Sequence, residues 1–316
     1  MVLKEDIVFG PVPSRRLGLS LGINNVYSKY CSYSCIYCQV GRTDHLVIKR
    51  RKFYEPLKLA KKVIKEVKRK NPEVITFAPN GEPTLDVNLG VEIELLKRDI
   101  SKPIAILTNS SLLPREDVYS DLMLFDIISL KLDTVDKNTW KKINRPHPKL
   151  DLRDILNSIE DFAKEYRGKL LFETMIVENV NNNTREYRGI ARFLSKLRFY
   201  KAYIQSPIRP PTEKWVKPAS EEDYLKAYQV FVEELGRDKV ELLISPEPSS
   251  FIFSDNLVYE ITKTIYVHPI RINQLKDIVE ERGIDLDSVL NELVGKGIAK
   301  IIDYNREKFL VPKTRK

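Results

Sequence analysis

Apolar, β-branched runs alternate with amphipathic segments along most of this chain. The runs predict strands at 19–23, 74–78, 104–107, 126–132, 170–177, 203–205 and 240–244. Between them, apolar residues recur at helical spacing, which predicts helices at 57–70, 89–97, 116–122, 152–166, 184–197 and 221–235. Repetition of a strand followed by a helix is typical of α/β proteins with a parallel sheet.

The number of strand–helix units indicates how the sheet closes. About six units suit a partial (β/α)6 barrel of the TIM type, and this is the fold that we expect for residues 1–254. In such sheets ligands bind at the C-terminal ends of the strands. Chemistry-bearing side chains are therefore expected just after each predicted strand.

The pattern changes at the end of the chain. Helices are predicted at 273–282 and 287–294, each followed by glycine, and a hairpin at 299–304 and 308–311 turns at Asn305 and Arg306. This order predicts a winged-helix-like C-terminal domain over residues 255–316. Its second helix carries acidic residues, Asp285, Asp287 and Glu292, which disfavour contact with phosphates. We expect protein contact or docking here, with nucleic-acid contact or a structural cap as alternatives.

Composition places the chain among ordinary globular proteins. Hydrophobic residues make up 42% and charged residues 31% of its 316 positions. No apolar run approaches the roughly 20 residues that a membrane-spanning helix needs. Residues 1–6 include two acids and no apolar export region. We therefore expect a cytoplasmic protein with no membrane partner.

The net charge of +9 is concentrated near the N-terminus. Residues 1–70 contain 16 Lys and Arg against 5 Asp and Glu, which gives this segment a net charge of +11. A polyanion or an acidic protein would therefore be attracted to this part of the chain, which contains the basic run 49–52. The lysines at 58–70 also fit the solvated face of an amphipathic helix.

The three cysteines lie within eight residues, as Cys31, Cys35 and Cys38. An odd number at this density indicates a metal rather than a disulfide framework, and we expect no disulfide partner. Three thiolates can bind three irons of a cubane cluster and leave the fourth iron open to another ligand. A zinc site of three cysteines completed by His45 is the alternative.

Two motifs together resemble a known family. Cys31-x3-Cys35-x2-Cys38, with Tyr37 before the last cysteine, resembles the cluster loop of the radical S-adenosylmethionine (radical SAM) superfamily. Asn80-Gly81-Glu82-Pro83, after the strand at 74–78, resembles the glycine and glutamate motif of that superfamily. Segments 9–18 and 81–84 are similar to a subgroup related to the tRNA wyosine-base (4-demethylwyosine) synthases. The chain differs from those synthases because it has no cysteines for a second cluster.

The resemblance implies the cofactors and the chemistry. It implies a [4Fe–4S] cluster, S-adenosylmethionine bound to the open iron, and hydrogen abstraction by a 5′-deoxyadenosyl radical. It also implies an electron donor of the ferredoxin or flavodoxin type. Glu82 is suited to accept hydrogen bonds from the cationic amine of S-adenosylmethionine, while Gly81 permits close backbone approach and Pro83 fixes the turn.

Further cofactor contacts are expected along the strand ends. Ser129, Lys131 and Asp133 alternate and therefore share one face of a strand, which is either the barrel interior or the solvated exterior. An interior position would require these groups to be paired or to meet a ligand. The remaining candidates, some of which also suit capping roles, are Thr108, Asn109, Ser110, Thr174, Ile176 and Gln205. Arg15 and Arg16 are candidates for a substrate phosphate or carboxylate, or for surface ion pairs.

Three functions remain open at this point. The basic N-terminal segment and the subgroup resemblance favour a radical SAM enzyme that acts on tRNA or another RNA. The alternative enzyme acts on a small molecule or a protein, and its basic run at 49–52 docks an acidic electron carrier. The third possibility is a zinc-stabilised regulator that uses its helix-turn-helix. The resemblance favours an enzyme of the oxidoreductase or transferase type.

Overall fold

A computed structural model describes residues 6–245, 251, 253 and 256–314. Its thirteen described strands are β1 Val8–Ser14, β2 Gly18–Ile23, β3 Tyr30–Cys31, β4 His45–Leu46, β5 Val74–Phe77, β6 Ile104–Thr108, β7 Ile127–Lys131, β8 Lys169–Met175, β9 Lys201–Gln205, β10 Val240–Leu243, β11 Ile270–Arg271, β12 Ala299–Tyr304 and β13 Glu307–Pro312. The expected start of the chain and the expected domain boundary at 254–255 lie outside the described residues.

Ten helices connect the described strands. They are α1 Pro56–Lys70, α2 Leu89–Asp99, α3 Glu116–Leu122, α4 Lys137–Ile143, α5 Leu152–Glu165, α6 Thr184–Leu194, α7 Glu221–Leu235, α8 Leu257–Val267, α9 Ile272–Glu280 and α10 Leu286–Gly295. No helix in the described part of the chain is both long and apolar enough to cross a bilayer.

The main sheet is a curled half-barrel. Its eight strands lie in the order β1-β2-β5-β6-β7-β8-β9-β10, and all neighbours are parallel except the antiparallel pair β1–β2. Strand β5 is buried at all four positions, as expected for a strand covered on both faces. The predicted α/β partial barrel is confirmed.

Strand β1 was not predicted, because its sequence lacks the regular alternation of apolar and polar residues. Gly10, Pro11 and Pro13 interrupt the apolar alternation, and proline is tolerated only at the edge of a sheet. The strand lies at that edge, and a shift in register between Phe9 and Val12 absorbs the prolines. Arg15, in the turn that follows β1, donates to the carbonyl oxygen of Leu243 at 2.6 Å, so one side chain links the two edges of the open barrel.

Helix α1 shows how the sequence fixes these elements locally. Glu55 caps its start by accepting hydrogen bonds from two backbone amides, and Asn71 ends it in a left-handed conformation. Leu59 and Val63 are fully buried, while the polar face carries most of its lysines. Since α1 ends beside the start of β5, it begins at the end of the barrel where the parallel strands terminate.

The residues after 255 pack on the barrel. Helices α8, α9 and α10 surround a small sheet in the order β11-β13-β12, and the predicted hairpin turns at Asn305 and Arg306. A shared core contains Phe9 and Val12 of β1 together with Ile261 and Ile265 of α8. The assignment of this unit to the winged-helix class, and the domain division, remain predictions.

A buried ion pair also joins this unit to the barrel. Lys70 at the end of α1 lies 2.8 Å from the Glu260 carboxylate on α8, and the side chains of both residues are almost fully buried. Breaking such a pair would leave one buried charge without compensation.

The expected basic patch at 49–52 needs correction. Arg50 is buried and bonds the carboxylates of Asp117 and Asp121 on α3, with 3.0 Å between Nη1 and Asp117. Lys49, Arg51 and Lys52 are exposed. The run is therefore divided between a structural arginine and three surface cations.

We expect Arg50→Met to destabilise the fold by roughly 1–3 kcal/mol, because Asp121 would lose its cation and the carbonyl of Asp86 would lose its hydrogen-bond donor. Lys52→Met removes the same charge from an exposed side chain and should change the free energy of unfolding by no more than about 0.5 kcal/mol. Urea denaturation of both variants measures the difference. Equal midpoints would contradict the structural role of Arg50.

Candidate active site

The three cysteines lie in a loop held by several elements. The backbone amide of Ile36 donates to the carbonyl of Ile143 at 3.0 Å, so the end of α4 supports the loop. On another side, Thr212, after β9, donates its hydroxyl to the carbonyl of Cys38 at 2.9 Å. Helix α4 was not predicted from the sequence, because Trp140 and Ile143 are the only apolar residues in its seven and do not show a clear helical period.

The loop after β5 lies directly against the cysteine strand. Lys29 donates its amide to the carbonyl of Asn80 at 2.7 Å, and Glu82 donates its amide to the carbonyl of Tyr30 at 2.9 Å. A Cβ atom on Gly81 would lie 2.1 Å from that Tyr30 oxygen. Only glycine fits between the two backbones, which explains its position in the motif.

Glu82 is a buried carboxylate at the centre of the site. Its oxygens accept hydrogen bonds from the hydroxyls of Thr84 and Thr108 and from the amide of Asn109, the last at 2.8 Å. Burial nevertheless raises its pKa above the ordinary value for glutamate. A cation bound beside Glu82 would favour its charged form.

The sulfur atoms receive polar contacts as well. Asn109 and Asn144 direct their side-chain amides at Cys31 and Cys35, at 3.5 and 3.4 Å. Burial raises the pKa of both thiols, that of Cys35 to about 12, so positive charge is needed to hold them as thiolates. Hydrogen bonds to sulfur and a nearby cationic metal centre are features of iron–sulfur sites.

The alternating residues of β7 face the barrel interior. Ser129 is buried, Lys131 is partly buried, and both line the cavity described below. Asp133, just past the strand, is buried and accepts hydrogen bonds from the Tyr37 hydroxyl and from the side-chain amide of Asn144. Asp133 thus holds the aromatic residue of the cysteine loop in place.

A charged network lies deeper in the barrel, around Glu173 on β8. Arg16 lies 3.1 Å from its carboxylate, Ser129 donates to it at 2.6 Å and Gln205 at 2.8 Å. Lys131 donates to Gln205 at 2.7 Å and lies 3.5 Å from the carboxylate. Burial opposes the charge, but Arg16 and Lys131 outweigh it and hold the pKa of Glu173 at about 2. Arg16 is therefore an interior residue of the barrel.

One cavity of about 380 Å³ connects these groups, a volume in the range of small-molecule sites. Eleven of the predicted metal and cofactor residues line it, namely Cys31, Cys35, Tyr37, Cys38, Gly81, Glu82, Thr108, Asn109, Ser129, Lys131 and Gln205, and so do Arg15 and Arg16. The predictions thus converge on one space at the C-terminal ends of the strands.

Other predicted residues do not line this cavity. Thr174 donates its hydroxyl to the carbonyl of Leu132, and Ile176 is packed in the main core. Their side chains lie on the opposite face of the chain from those of Glu173 and Met175, which do line the cavity. The lining of the cavity also excludes four other predicted residues, namely Asn80, Pro83, Ser110 and Asp133. His45, the proposed zinc ligand, is exposed and stacks on the ring of Tyr30.

Several residues of the wall were not predicted. Phe9 covers Gly22, where a Cβ would lie 2.0 Å from its ring. Val267 and His268 line the cavity from the end of α8, and Arg209 lies 3.0 Å from the His268 ring. Arg209 could have been found from its position in the loop after a predicted strand. The α8 residues gave no such signal, because their contribution depends on long-range packing.

Comparisons with known proteins show the family of the chain. The model of the radical SAM superfamily matches residues 25–188. The UPF0026 protein of Methanocaldococcus jannaschii is 44% identical over 306 residues, which cover 96% of this chain and 95% of the relative. The UPF0026 protein of Synechocystis sp. is 36% identical over 207 residues, 64% of this chain and 76% of the relative.

A solved structure has a similar fold. The radical SAM methyltransferase from Sphaerobacter thermophilus superimposes with a TM-score of 0.53 at 15% identity, covering 72% of this chain and 67% of that one. At this identity the likeness supports the curled half-barrel and carries no information on substrate.

We expect Gly81→Ala to reduce the iron content of anaerobically reconstituted protein several-fold, because its methyl group would separate the cysteine strand from the Glu82 turn. Overpacking of this kind typically costs about 1–3 kcal/mol. Gly295→Ala is the matched control, since its Cβ would meet nothing within 4 Å. Iron and sulfide analysis of both variants measures the effect, and wild-type iron content in Gly81→Ala would contradict it.

Proposed function

Because the chain belongs to the radical SAM superfamily, we propose that it is an enzyme that binds a [4Fe–4S] cluster through its three cysteines. The cofactors of the family are this cluster and S-adenosylmethionine. When bound, they would supply the reductive cleavage of S-adenosylmethionine, which yields a 5′-deoxyadenosyl radical that removes a hydrogen atom from the substrate. The observation that carries the proposal is the convergence of three thiols and the buried Glu82 carboxylate on one cavity.

Different residues of the site would bind the cluster and S-adenosylmethionine. Cys31, Cys35 and Cys38 bind three irons and leave the fourth for S-adenosylmethionine. Glu82 accepts hydrogen bonds from the cationic amine, which offsets the cost of burying its charge. Asn109 lies between the two sites, because its backbone amide bonds Glu82 and its side chain points to Cys31.

Lys131 is suited to an anionic group of the cofactor or the substrate. Its ammonium lies 5.4 Å from the Tyr37 ring centroid and is also bonded to Gln205. Lys131 therefore lies between the cysteine loop and the charged network around Glu173. Asp133 acts through Tyr37 and is a positioning residue.

The reconstituted protein should contain about four irons per chain and give a reduced-cluster electron paramagnetic resonance signal that changes when S-adenosylmethionine is added. Cys35→Ser should lose this signal and the dithionite-driven release of 5′-deoxyadenosine. His45→Ala should retain both, because His45 lies outside the cavity. Bound zinc that is lost in His45→Ala, with no iron signal in the wild type, would instead support the zinc alternative.

For the substrate, we propose tRNA or another RNA. The support is the exposed face of α1, which carries Lys58, Lys61, Lys65, Lys68 and Arg69. Helix α1 begins at the end of the barrel where the cavity lies, so a bound polyanion would extend towards the site. A nucleotide drawn out of its stack would have to enter the cavity.

A small-molecule substrate is the second candidate. The observation in its favour is the wall formed by Val267 and His268, which encloses the cavity from the side of the C-terminal unit. An enclosed cavity with a few polar groups is typical of sites for small ligands.

If RNA is the substrate, affinity for total tRNA should fall steeply between low and high salt, with a slope on logarithmic axes of about −0.7 to −0.9 per phosphate contact. Lys61→Glu/Lys65→Glu should weaken binding and flatten that slope. Filter binding at several salt concentrations measures both quantities. Salt-independent affinity in the wild type would favour the small-molecule candidate.

A further inference from the structure

Only one strand, β4, separates the strand that carries Cys31 from the protein surface at this point. Strand β3 pairs with β4 in a register that places Cys31 opposite Leu46, and Val47 donates its amide to the carbonyl of Cys31 at 2.9 Å. The Leu46 side chain is 36% exposed. Since paired strands lie about 4.8 Å apart, solvent is close to the cysteine backbone at this point.

Aromatic side chains surround this point. The Tyr30 ring stacks on His45 with 4.1 Å between centroids, and Tyr27, which is 41% exposed, packs edge-on against Tyr30. We call Tyr27, Tyr30, His45 and Leu46 the aromatic patch. Exposed aromatic and apolar side chains at the centre of a surface are typical of protein-contact sites.

Cations lie beside the aromatic patch. The Arg51 guanidinium is 5.3 Å from the Tyr30 ring centroid, and Lys49 and Lys52 are exposed on either side of Arg50 and Arg51 in the chain. Arg50 belongs to the buried pair with α3 and does not contribute to this surface. An apolar centre beside cations matches an acidic protein surface with an apolar centre of its own.

We propose that the aromatic patch and the three cations together form the docking surface for a small acidic electron-carrier protein. This inference rests on the proposed function. One electron passes from the reduced carrier to the cluster, so the carrier is oxidised and the cluster reduced by one electron, and no bond forms or breaks at this surface.

The position of the surface favours a protein over RNA. The hydrogen-bonded pair β3–β4 provides a short route from Leu46 to Cys31, which electron transfer requires and RNA binding does not. The exposed cations of α1 have no aromatic centre among them, and we assign them to the RNA proposal.

The test compares two double variants with the same change in charge. Lys49→Glu/Lys52→Glu reverses two cations of the docking surface, and Lys196→Glu/Lys226→Glu reverses two exposed lysines that belong to neither proposed surface. Release of 5′-deoxyadenosine is followed at low salt, with subsaturating reduced flavodoxin and, separately, with dithionite. We expect the first variant to lose about tenfold in the flavodoxin-driven rate, because electrostatic steering contributes factors of about 10–1000. Its dithionite-driven rate should match the wild type.

The Lys196→Glu/Lys226→Glu variant should retain the flavodoxin-driven rate. Equal flavodoxin-driven losses in the two variants, or no loss in the first, would overturn the proposal. A variant at 49 and 52 that weakens tRNA binding while its flavodoxin-driven rate is unchanged would assign the surface to RNA and also overturn it. Failure of the proposed function is a separate result, because the wild type would then release no 5′-deoxyadenosine with dithionite.

Discussion

The close approach of two backbones is the constraint on which the site depends. The strand that carries Cys31 and the turn that carries Glu82 exchange two hydrogen bonds around Gly81, with no room for a side chain between them. This contact fixes the distance from the thiols to the Glu82 carboxylate. The threonines and the Asn109 amide then fix the carboxylate itself, so the site is set before any ligand arrives.

The interior of the barrel tolerates the charged network around Glu173 because the members of that network contact one another. Glu173 stays ionised in a buried position since Arg16, Lys131, Ser129 and Gln205 all contact it. Removing one partner would leave a charge uncompensated, which costs more than the pair contributes. The same rule governs Arg50, although it lies outside the site. The sequence shows both arginines as members of basic pairs or runs, and only the fold separates their roles.

The parts of the fold that depend on local pattern were predictable. The parallel strands and their helices follow from apolar runs, and the cysteine spacing and the Gly81–Glu82 motif located the site. The parts that failed depend on distant contacts. Strand β1 is paired in spite of its prolines. Thr174 and Ile176 point to the core because the pairing of β8 with β7 and β9 in the curled sheet decides which face of β8, the one that carries Glu173, lies inside. His268 reaches the cavity only through packing of α8 on the barrel.

The two sides of the cysteine loop differ in a way that suits radical chemistry. On one side, Leu46 and the aromatic patch place the surface one strand from Cys31. On the other side, Phe9, Val267 and His268 enclose the cavity, and Arg209 joins the wall through His268. Exclusion of water protects reactive intermediates, whereas electron transfer needs only a short distance to the protein surface. Packing the C-terminal helices against β1, away from β3 and β4, satisfies both requirements. The C-terminal unit therefore contributes to the wall of the cavity.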